Sequence, residues 1–155
     1  MRAVTANSAE FVDVGANRDS LTPMPSLRPD ASCLHARVCG DVRAAGFSAE
    51  RGHPVFPVRL PTNSVSLSVG DLAPGAATSN HRHAYESVVY VIEGSGYTIM
   101  EGVRFDWAAG DAVYTPPWCW HQHHASGGGP VRYLTATNMP LLARCGQTVM
   151  REEER

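Results

Sequence analysis

Short apolar runs separated by glycine or proline turns occupy the chain from Val55 onward, at the spacing of strands rather than helices. Val65, Leu67 and Val69 alternate with serines, which predicts a half-buried strand. The run Ser87–Glu93 is β-branched and aromatic through its middle, so we expect it to be buried on both faces. Gly94 and the two residues after it are expected to form a hairpin. This pattern indicates a sandwich or a barrel.

Three regions differ in their patterning. Residues 1–54 show little periodicity and are expected to form an irregular arm, with one short strand near Leu34–Val38 and a helical turn near Val42–Ala49. Residues 55–142 carry about eight or nine predicted strands, a number that suits an all-β double-stranded β-helix, or jelly roll. Residues 143–155 are expected to be a C-terminal tail, of which Arg151–Arg155 is a solvated end. We expect one domain with one core.

Composition excludes several classes of function. The formal net charge of −2 gives no reason to expect nucleic acid or an anionic membrane as a partner. No apolar run approaches the length of a transmembrane helix, and the first residues lack the apolar core of a signal peptide, so we expect a cytoplasmic protein. All 13 basic side chains are arginine, which excludes a lysine Schiff base and a lysine-containing phosphate loop.

The cysteines show no Cys-x-x-Cys spacing, and a disulfide framework is not expected in a chain of this size and compartment. Cys119 stands two residues before His121 and could approach a metal there. The alternative, a small buried apolar side chain, is the one we favour.

Five of the seven histidines fall between residues 81 and 124. Residues i and i+2 of a strand point to the same face, so His81 and His83 can present two imidazoles to one point. His121, about forty residues later on another predicted strand, can complete a three-nitrogen site. Imidazole is the usual ligand of zinc, copper, iron and nickel. The spacing therefore predicts that His81, His83 and His121 hold one divalent metal.

The same segments resemble the two signature motifs of the cupin superfamily. Gly75, the His-x-His pair and Gly94 fit the first motif, but Ser87 stands where that motif has a glutamate ligand. Gly110, Pro116 and His121 fit the second motif, in which Trp118 replaces a glycine and Ala125 an asparagine. The resemblance covers about residues 64 to 142. Glu86 is predicted to face away from the metal, unless a local bulge turns it inward.

Within the superfamily, the chain is most similar to three-histidine cupins of the gentisate 1,2-dioxygenase type and, among others, to β-diketone-cleaving dioxygenases. His81-Arg82-His83 without a glutamate and Trp120-His121-Gln122-His123 match the gentisate type. That resemblance implies Fe(II), with Zn, Mn, Ni or Cu as alternatives, a small anionic substrate and dioxygen. Gentisate dioxygenases have two cupin repeats, whereas one is recognisable here.

Several side chains are candidates for roles beside the metal. His123 shares the parity of His121 and could be an acid, a base or a substrate contact, or it could merely line the barrel. Tyr90 and Tyr97, like Tyr85, could supply a phenolic acid or base. His35, His53 and His124 are expected at the surface. Four arginines could pair a substrate carboxylate: Arg59, Arg82, Arg104 and Arg132. Three tryptophans are expected in the pocket wall or in the core: Trp107, Trp118 and Trp120.

Three functions follow from this set of residues. The leading hypothesis is an Fe(II) dioxygenase that cleaves a small hydroxylated aromatic acid or a dicarbonyl compound. The alternatives are a non-redox metal-dependent lyase, isomerase or cyclase, and a binding protein without turnover. We also expect a homodimer in which the irregular arm covers a neighbour's sheet and buries four apolar side chains: Phe11, Leu21, Leu27 and Leu34.

Overall fold

A computed structural model describes residues 29–154 of the chain. The chain divides into two compact units, Met1–Asp30 and Ala31–Arg155, and the helices and strands described here lie in the second. The described residues form ten strands: β1 (Val55–Pro57), β2 (Ser66–Leu72), β3 (His81–His83), β4 (Ser87–Glu93), β5 (Ser95–Met100), β6 (Val103–Ala108), β7 (Ala112–Thr115), β8 (His121–Ala125), β9 (Val131–Thr137) and β10 (Arg151–Glu153).

The strands form two antiparallel five-stranded sheets, in the orders β1-β2-β9-β4-β7 and β10-β3-β8-β5-β6. The core draws on both sheets, with Leu72, Val91 and Val131 from the first and Trp107 and Ala125 from the second. The predicted all-β fold is confirmed. No helix within residues 29–154 is long and apolar enough to cross a membrane.

Two strands differ from the prediction in the faces that they bury. The buried positions of β2 are Gly70 and Leu72, so the strand turns its serine parity inward rather than the valine parity. In β4 the buried positions alternate, and Val88, Tyr90 and Ile92 are all exposed on the outer face. The prediction that β4 is buried on both faces is therefore wrong, because its outer face has no covering layer among the described residues.

The connection after β4 also differs from the prediction. β4 pairs with β7 and β9, whereas β5 pairs with β6 and β8, so Gly94 passes the chain from one sheet to the other instead of closing a hairpin. Its φ of 87° lies in the left-handed region, and a Cβ at this position would overlap the carbonyl oxygen of Pro130. Glycine is required here by both the conformation and the close approach.

The segments before β1 and after β9 contribute more structure than their patterning predicts. No strand forms at Leu34–Val38, where the chain makes short 3₁₀ turns, while the expected helical turn is present and continues as α1 (Ala45–Arg51). After β9 the chain forms α2 (Met139–Arg144) and then β10, which pairs with β3. The end of the chain is thus an edge strand beside two of the predicted metal ligands, not a solvated tail.

Candidate metal centre

Three buried histidines meet where β3 and β8 pair. His81 and His83 occupy the two ends of β3 on one face, and His121 begins β8 directly opposite His81. The ring centroids of His81 and His121 are 4.1 Å apart, and those of His83 and His121 are 4.8 Å apart. One possible ligand atom from each residue lies within 4.8 Å of the others. Strand parity therefore brings the three histidines together as predicted.

Each ring is oriented by a backbone carbonyl. Nδ1–H of His81 donates to Ser79 O at 2.8 Å, that of His83 to Tyr85 O at 2.7 Å, and that of His121 to Cys119 O at 2.8 Å. Because a carbonyl can only accept, the proton of each neutral ring lies on Nδ1 and the lone pair on Nε2. Such contacts fix the tautomer and the orientation of metal-binding imidazoles. The donor set fits a divalent metal bound by three Nε2 atoms.

The electrostatic environment keeps these rings neutral. Burial, followed by the charge of His121, lowers the pKa of His81 to about 2 and that of His83 to about 4. Burial is also the main cause of the lowered pKa of His121. A metal binds the deprotonated imidazole, so at neutral pH no proton has to be displaced from these three residues.

The histidines form one wall of a cavity of about 290 Å³ between the sheets. This volume is near the lower end of the range for small-molecule sites. Among the described residues, no aspartate or glutamate lines it. Its wall contains five residues with aromatic or imidazole rings besides the three histidines: Phe47, His53, Tyr85, His123 and Tyr133.

Ser87 occupies the place of the missing carboxylate. It is buried at the start of β4 and lines the cavity. Glu86 is exposed; its carboxylate accepts from Tyr114 Oη at 3.1 Å and from Asn138 Nδ2 at 3.2 Å. No bulge turns Glu86 toward the histidines. A metal in this centre would have three neutral protein ligands and no carboxylate.

His123 lies on the cavity wall next to His121, with ring centroids 5.5 Å apart. Its Nδ1 is 2.8 Å from Thr98 Oγ1, which accepts from Trp107 Nε1–H at 2.9 Å. Because Trp107 donates to this hydroxyl, the hydroxyl hydrogen can be donated to Nδ1, and in that tautomer the ring proton of His123 is on Nε2. Burial, followed by the charge of His121, lowers the pKa of His123 to about 3.

A second pair of polar side chains in the cavity was not expected from the sequence. Tyr133 on β9 and His53 after α1 both line it, which corrects the prediction that His53 is a surface residue. His53 Nδ1–H donates to Arg51 O at 2.9 Å, so its Nε2 accepts from Tyr133 Oη–H at 2.7 Å. A Cβ at Gly70, which pairs with Tyr133 across β2 and β9, would overlap the Tyr133 ring. This glycine is the one sequence signal that could have indicated a large inward side chain.

The tyrosines singled out from the sequence are divided between the cavity and the outside. Tyr85 lines the cavity and stacks on His83 at 4.0 Å. Tyr90 is 46% exposed on the outer face of β4. Tyr97 lies outside the cavity and stacks on His124, with ring centroids 4.5 Å apart. Cζ of Arg104 lies 3.7 Å from the centroid of the Tyr97 ring. The expectation that Tyr90 and Tyr97 lie near the metal is therefore corrected, because their strands turn these positions outward.

The four arginines proposed as substrate ligands are each paired with an acid outside the cavity wall. Arg132 forms a two-oxygen pair with Asp71, at 2.7 Å for each contact. Arg82 contacts Glu152 at 2.7 Å, Arg59 contacts Asp41 at 3.2 Å, and Arg104 contacts Asp106 at 2.6 Å. Two other arginines line the cavity instead: Arg51 and Arg151.

The tryptophans and the remaining histidines are structural. Trp107 is in the core, while Trp118 and Trp120 flank the Arg82 guanidinium at 4.4 and 4.7 Å. His35 has a side chain only 9% exposed and lies 3.3 Å from Asp41, so it is not the surface residue expected. Neither these four side chains nor His124 lines the cavity.

One family of known proteins matches the central part of the chain. Residues 68–137 match the family described as "Cupin domain". Together with the two antiparallel sheets and the three-histidine centre, this match makes the strand-rich part of the chain similar to cupin domains.

The chain is also similar to ring-cleaving enzymes. It is 34% identical over 95 residues to a gentisate 1,2-dioxygenase from Ralstonia sp, covering 61% of this chain and 26% of that protein. A gentisate 1,2-dioxygenase from Streptomyces sp is 29% identical over 158 residues, covering 88% of this chain and 44% of that protein. The chain thus spans about a quarter to less than half of the length of these relatives.

Solved structures show the same fold. The salicylate 1,2-dioxygenase from Pseudaminobacter salicylatoxidans superposes with a TM-score of 0.65 at 18% identity, over 97% of this chain and 50% of that chain. A cupin 2 conserved barrel domain protein from Rhodopseudomonas palustris gives a TM-score of 0.51 at 26% identity, over 54% of this chain and 59% of that chain. This chain therefore shares its fold with proteins to which it is only 18% and 26% identical.

Proposed function

We propose that this chain is an Fe(II)-dependent dioxygenase that cleaves the ring of a small hydroxylated aromatic acid. The observation that carries the proposal is the three-histidine centre, with its Nε2 atoms free and Ser87 in place of a carboxylate. The similarity to gentisate and 5-aminosalicylate 1,2-dioxygenases supports it. A structure of the salicylate enzyme with gentisate supports the choice of an aromatic acid.

The side chains of the cavity have separate tasks. His81, His83 and His121 would hold the metal, which when bound would supply a Lewis acid with open positions for substrate and dioxygen. Ser87 adds no negative charge, so the full charge of the metal would remain available to an anion. His123 can donate from Nε2 to an oxygen of the substrate, with its ring fixed by Thr98. The apolar part of the wall excludes water from this contact.

Anaerobic purification with metal analysis, followed by oxygen-electrode assays, tests the proposal. Stoichiometric iron, and oxygen consumption coupled to loss of gentisate or salicylate, are the expected results. The matched control is His124→Ala, because His124 lies on the same strand as His121 but outside the cavity. Absence of oxygen uptake with every hydroxylated aromatic acid and dicarbonyl compound offered would reject the dioxygenase.

One observation favours a second candidate, a metal-dependent lyase or isomerase. The phenol of Tyr133 donates to His53 Nε2 inside the cavity, which is an arrangement suited to proton transfer. Burial raises the pKa of Tyr133, so this phenol is a donor and not a base at neutral pH. Turnover by the Zn²⁺ or Mn²⁺ protein without oxygen, lost in Tyr133→Phe, would establish this alternative in place of the dioxygenase.

A further inference from the structure

The short strand β3, which carries two of the three predicted metal ligands, shares few backbone pairings with its neighbour β8. In the described part of the chain, β3 and β8 have one register pair, His81 with His121, whereas β3 and β10 have three. His83 lies beyond that single pair. Its backbone carbonyl instead accepts from the N–H of Trp118 at 2.7 Å, in the loop between β7 and β8. Trp118 therefore supplies the contact with His83 that β8 does not make.

Trp118 has a backbone conformation that is unfavourable for its residue type. Its φ of 62° lies in the left-handed region, which bulky side chains rarely adopt. The second cupin motif has glycine at this position, and glycine adopts such a φ without strain. Backbone strain of this kind persists only where surrounding contacts compensate for it. A tryptophan here therefore needs a compensating contact from its side chain.

That contact is a stack on Arg82, the residue between the two histidines of β3. Cζ of Arg82 lies 4.4 Å from the centroid of the Trp118 ring and 4.7 Å from that of Trp120. A planar guanidinium stacks well on aromatic faces. Glu152, directly opposite on β10, accepts from Arg82 Nε at 2.8 Å, and the same oxygen lies 2.7 Å from Nη2. We call these four residues the outer clamp: Arg82, Trp118, Trp120 and Glu152.

The alternation of β3 connects the outer clamp to the metal centre. Because neighbouring residues of a strand point to opposite faces, Arg82 is outside the cavity while His81 and His83 line it. A shift of the Arg82 backbone therefore moves both imidazoles. Trp120 directly precedes His121, the third predicted ligand. The outer clamp thus joins both segments that supply the histidines, although none of its four side chains lines the cavity.

We propose that the outer clamp is a positioning device for the three-histidine centre, and that Trp118 keeps its strained backbone for this purpose. This inference rests on the proposed function, which places a metal between the three histidines. The clamp residues act through geometry, because they hold His83 at the separation from His81 and His121 that one metal requires. They do not act through charge, since a cation near a divalent metal would by itself weaken metal binding.

Calorimetric titration of the metal-free protein with Zn²⁺, together with the absorption spectrum of the Co²⁺ protein, tests the outer clamp without turnover. Trp118→Gly and Arg82→Gln should each weaken Zn²⁺ binding by about three- to tenfold, less than the ten- to a hundredfold cost of losing a ligand's own hydrogen-bond partner. Both should alter the Co²⁺ spectrum, which follows the ligand geometry. If the charge of Arg82 were its only influence, Arg82→Gln would instead tighten Zn²⁺ binding.

Two conservative variants separate stacking from charge and from side-chain size. Arg82→Lys keeps the charge but not the planar stack, so its Zn²⁺ affinity should fall as in Arg82→Gln. Trp118→Phe keeps an aromatic face and should retain the wild-type affinity. Thermal unfolding of the metal-free proteins separates positioning from stability. Trp118→Gly should melt close to the wild type, because relief of the strained φ offsets the lost ring contacts.

The matched control is a second stacked guanidinium on the outside of the same sheet. Cζ of Arg104 lies 3.7 Å from the centroid of the Tyr97 ring, and its Nη2 contacts Asp106 at 2.6 Å. Arg104 is on β6, which β8 and β5 separate from β3. Arg104→Gln removes the same kinds of contact and should change neither the Zn²⁺ affinity nor the Co²⁺ spectrum.

The outcomes distinguish the outer clamp from the metal centre. Unchanged or tighter Zn²⁺ binding in Arg82→Gln and Trp118→Gly overturns the clamp and leaves the metal centre and the dioxygenase standing. An equal loss of affinity in Arg104→Gln also overturns it, because the effect would then be one of general stability. If the wild type binds neither Zn²⁺ nor Co²⁺, the metal centre is rejected and the clamp with it.

Two further results complete the test. Clamp-dependent metal affinity in a protein whose Fe(II) form consumes no oxygen with any acid offered keeps the outer clamp and rejects the dioxygenase. Should Arg82→Gln fail to fold, the difference in Zn²⁺ affinity between Trp118→Phe and Trp118→Gly carries the test. Equal affinities in these two variants contradict the proposal.

Discussion

The inward and outward faces of the same strands carry opposite kinds of side chain. On β8, His121 and His123 line the cavity, whereas His124 stacks on Tyr97 outside it. On β4, Ser87 faces the cavity, while three apolar side chains are exposed on the other face: Val88, Tyr90 and Ile92. Near the site, the inward faces of these two strands carry polar side chains that belong to the candidate site. Hydrophobicity alone therefore does not reveal which face is buried.

The largest expected effect comes from replacing an inward histidine of β8 with alanine and comparing it with the same replacement of an outward histidine. His121→Ala removes one of three Nε2 ligands, so we expect metal affinity to fall by more than about a hundredfold, since even loss of a ligand's hydrogen-bond partner costs about ten- to a hundredfold. His124→Ala should leave the affinity unchanged. Metal analysis after dialysis measures both. Full occupancy in His121→Ala would remove the basis of the three-histidine assignment.

The corresponding comparison on β4 introduces a glutamate on the inward face in one variant and on the outward face in another. Ser87→Glu should tighten metal binding by about tenfold or more, because an anionic ligand adds charge attraction to three neutral imidazoles. It should also lower any dioxygenase rate by filling an open position. Val88→Glu, one residue further on the outer face, should change neither. Unchanged affinity and rate in Ser87→Glu would show that position 87 does not reach the metal.

The histidine centre could be predicted because its information is local. Period-two parity places His81 beside His83, and a strand beginning at His121 follows directly from the sequence. Only the pairing of β3 with β8 could not be predicted from the local sequence. The double-stranded β-helix class was predictable for the same reason, since turn residues and short apolar runs mark most of its strands.

The rest of the site depends on segments that have no local signal. Arg151 enters the cavity because β10 pairs with β3, and His53 enters it because Tyr133 reaches its ring across the cavity. Neither pairing leaves a pattern within a few residues of the side chain concerned. The inward serines of β2 mislead for a related reason, because Ser66 and Ser68 line the cavity instead of facing solvent.

A smaller effect is expected from the phenols on the two faces. Tyr133→Phe removes the hydrogen bond to His53 and should lower the free energy of unfolding by about 1 kcal/mol, the usual net value for such a bond. Tyr97→Phe should lower it less, since the contacts of Tyr97 with His124 and Arg104 are made by the ring. Urea unfolding of both variants provides the comparison. Metal affinity should be nearly the same in both, and a large loss in Tyr133→Phe would assign this phenol to the metal centre.

The smallest expected effect concerns the outward face of β4. It is a change between dimer and monomer, which is a factor of two in molecular mass. We predict a homodimer, because exposed apolar side chains on a sheet are commonly covered by a partner. Phe11, Leu21 and Leu27, which we expect to be buried in that dimer, lie outside the described residues, and Leu34 is 75% exposed. Tyr90→Glu introduces a charge on this face and should shift the protein toward monomer.

Light scattering over a range of concentrations measures this shift, with Glu93→Gln at the end of the same strand as the control. A stable dimer buries about 800 Å² on each partner, and a single charge in the middle of such an area costs more than one at its edge. Deletion of residues 1–40 should also weaken the dimer if this segment covers a neighbour's sheet. A wild-type protein that is monomeric at all concentrations, and unaltered by the deletion, would mean that the outward face of β4 has no partner of the same kind.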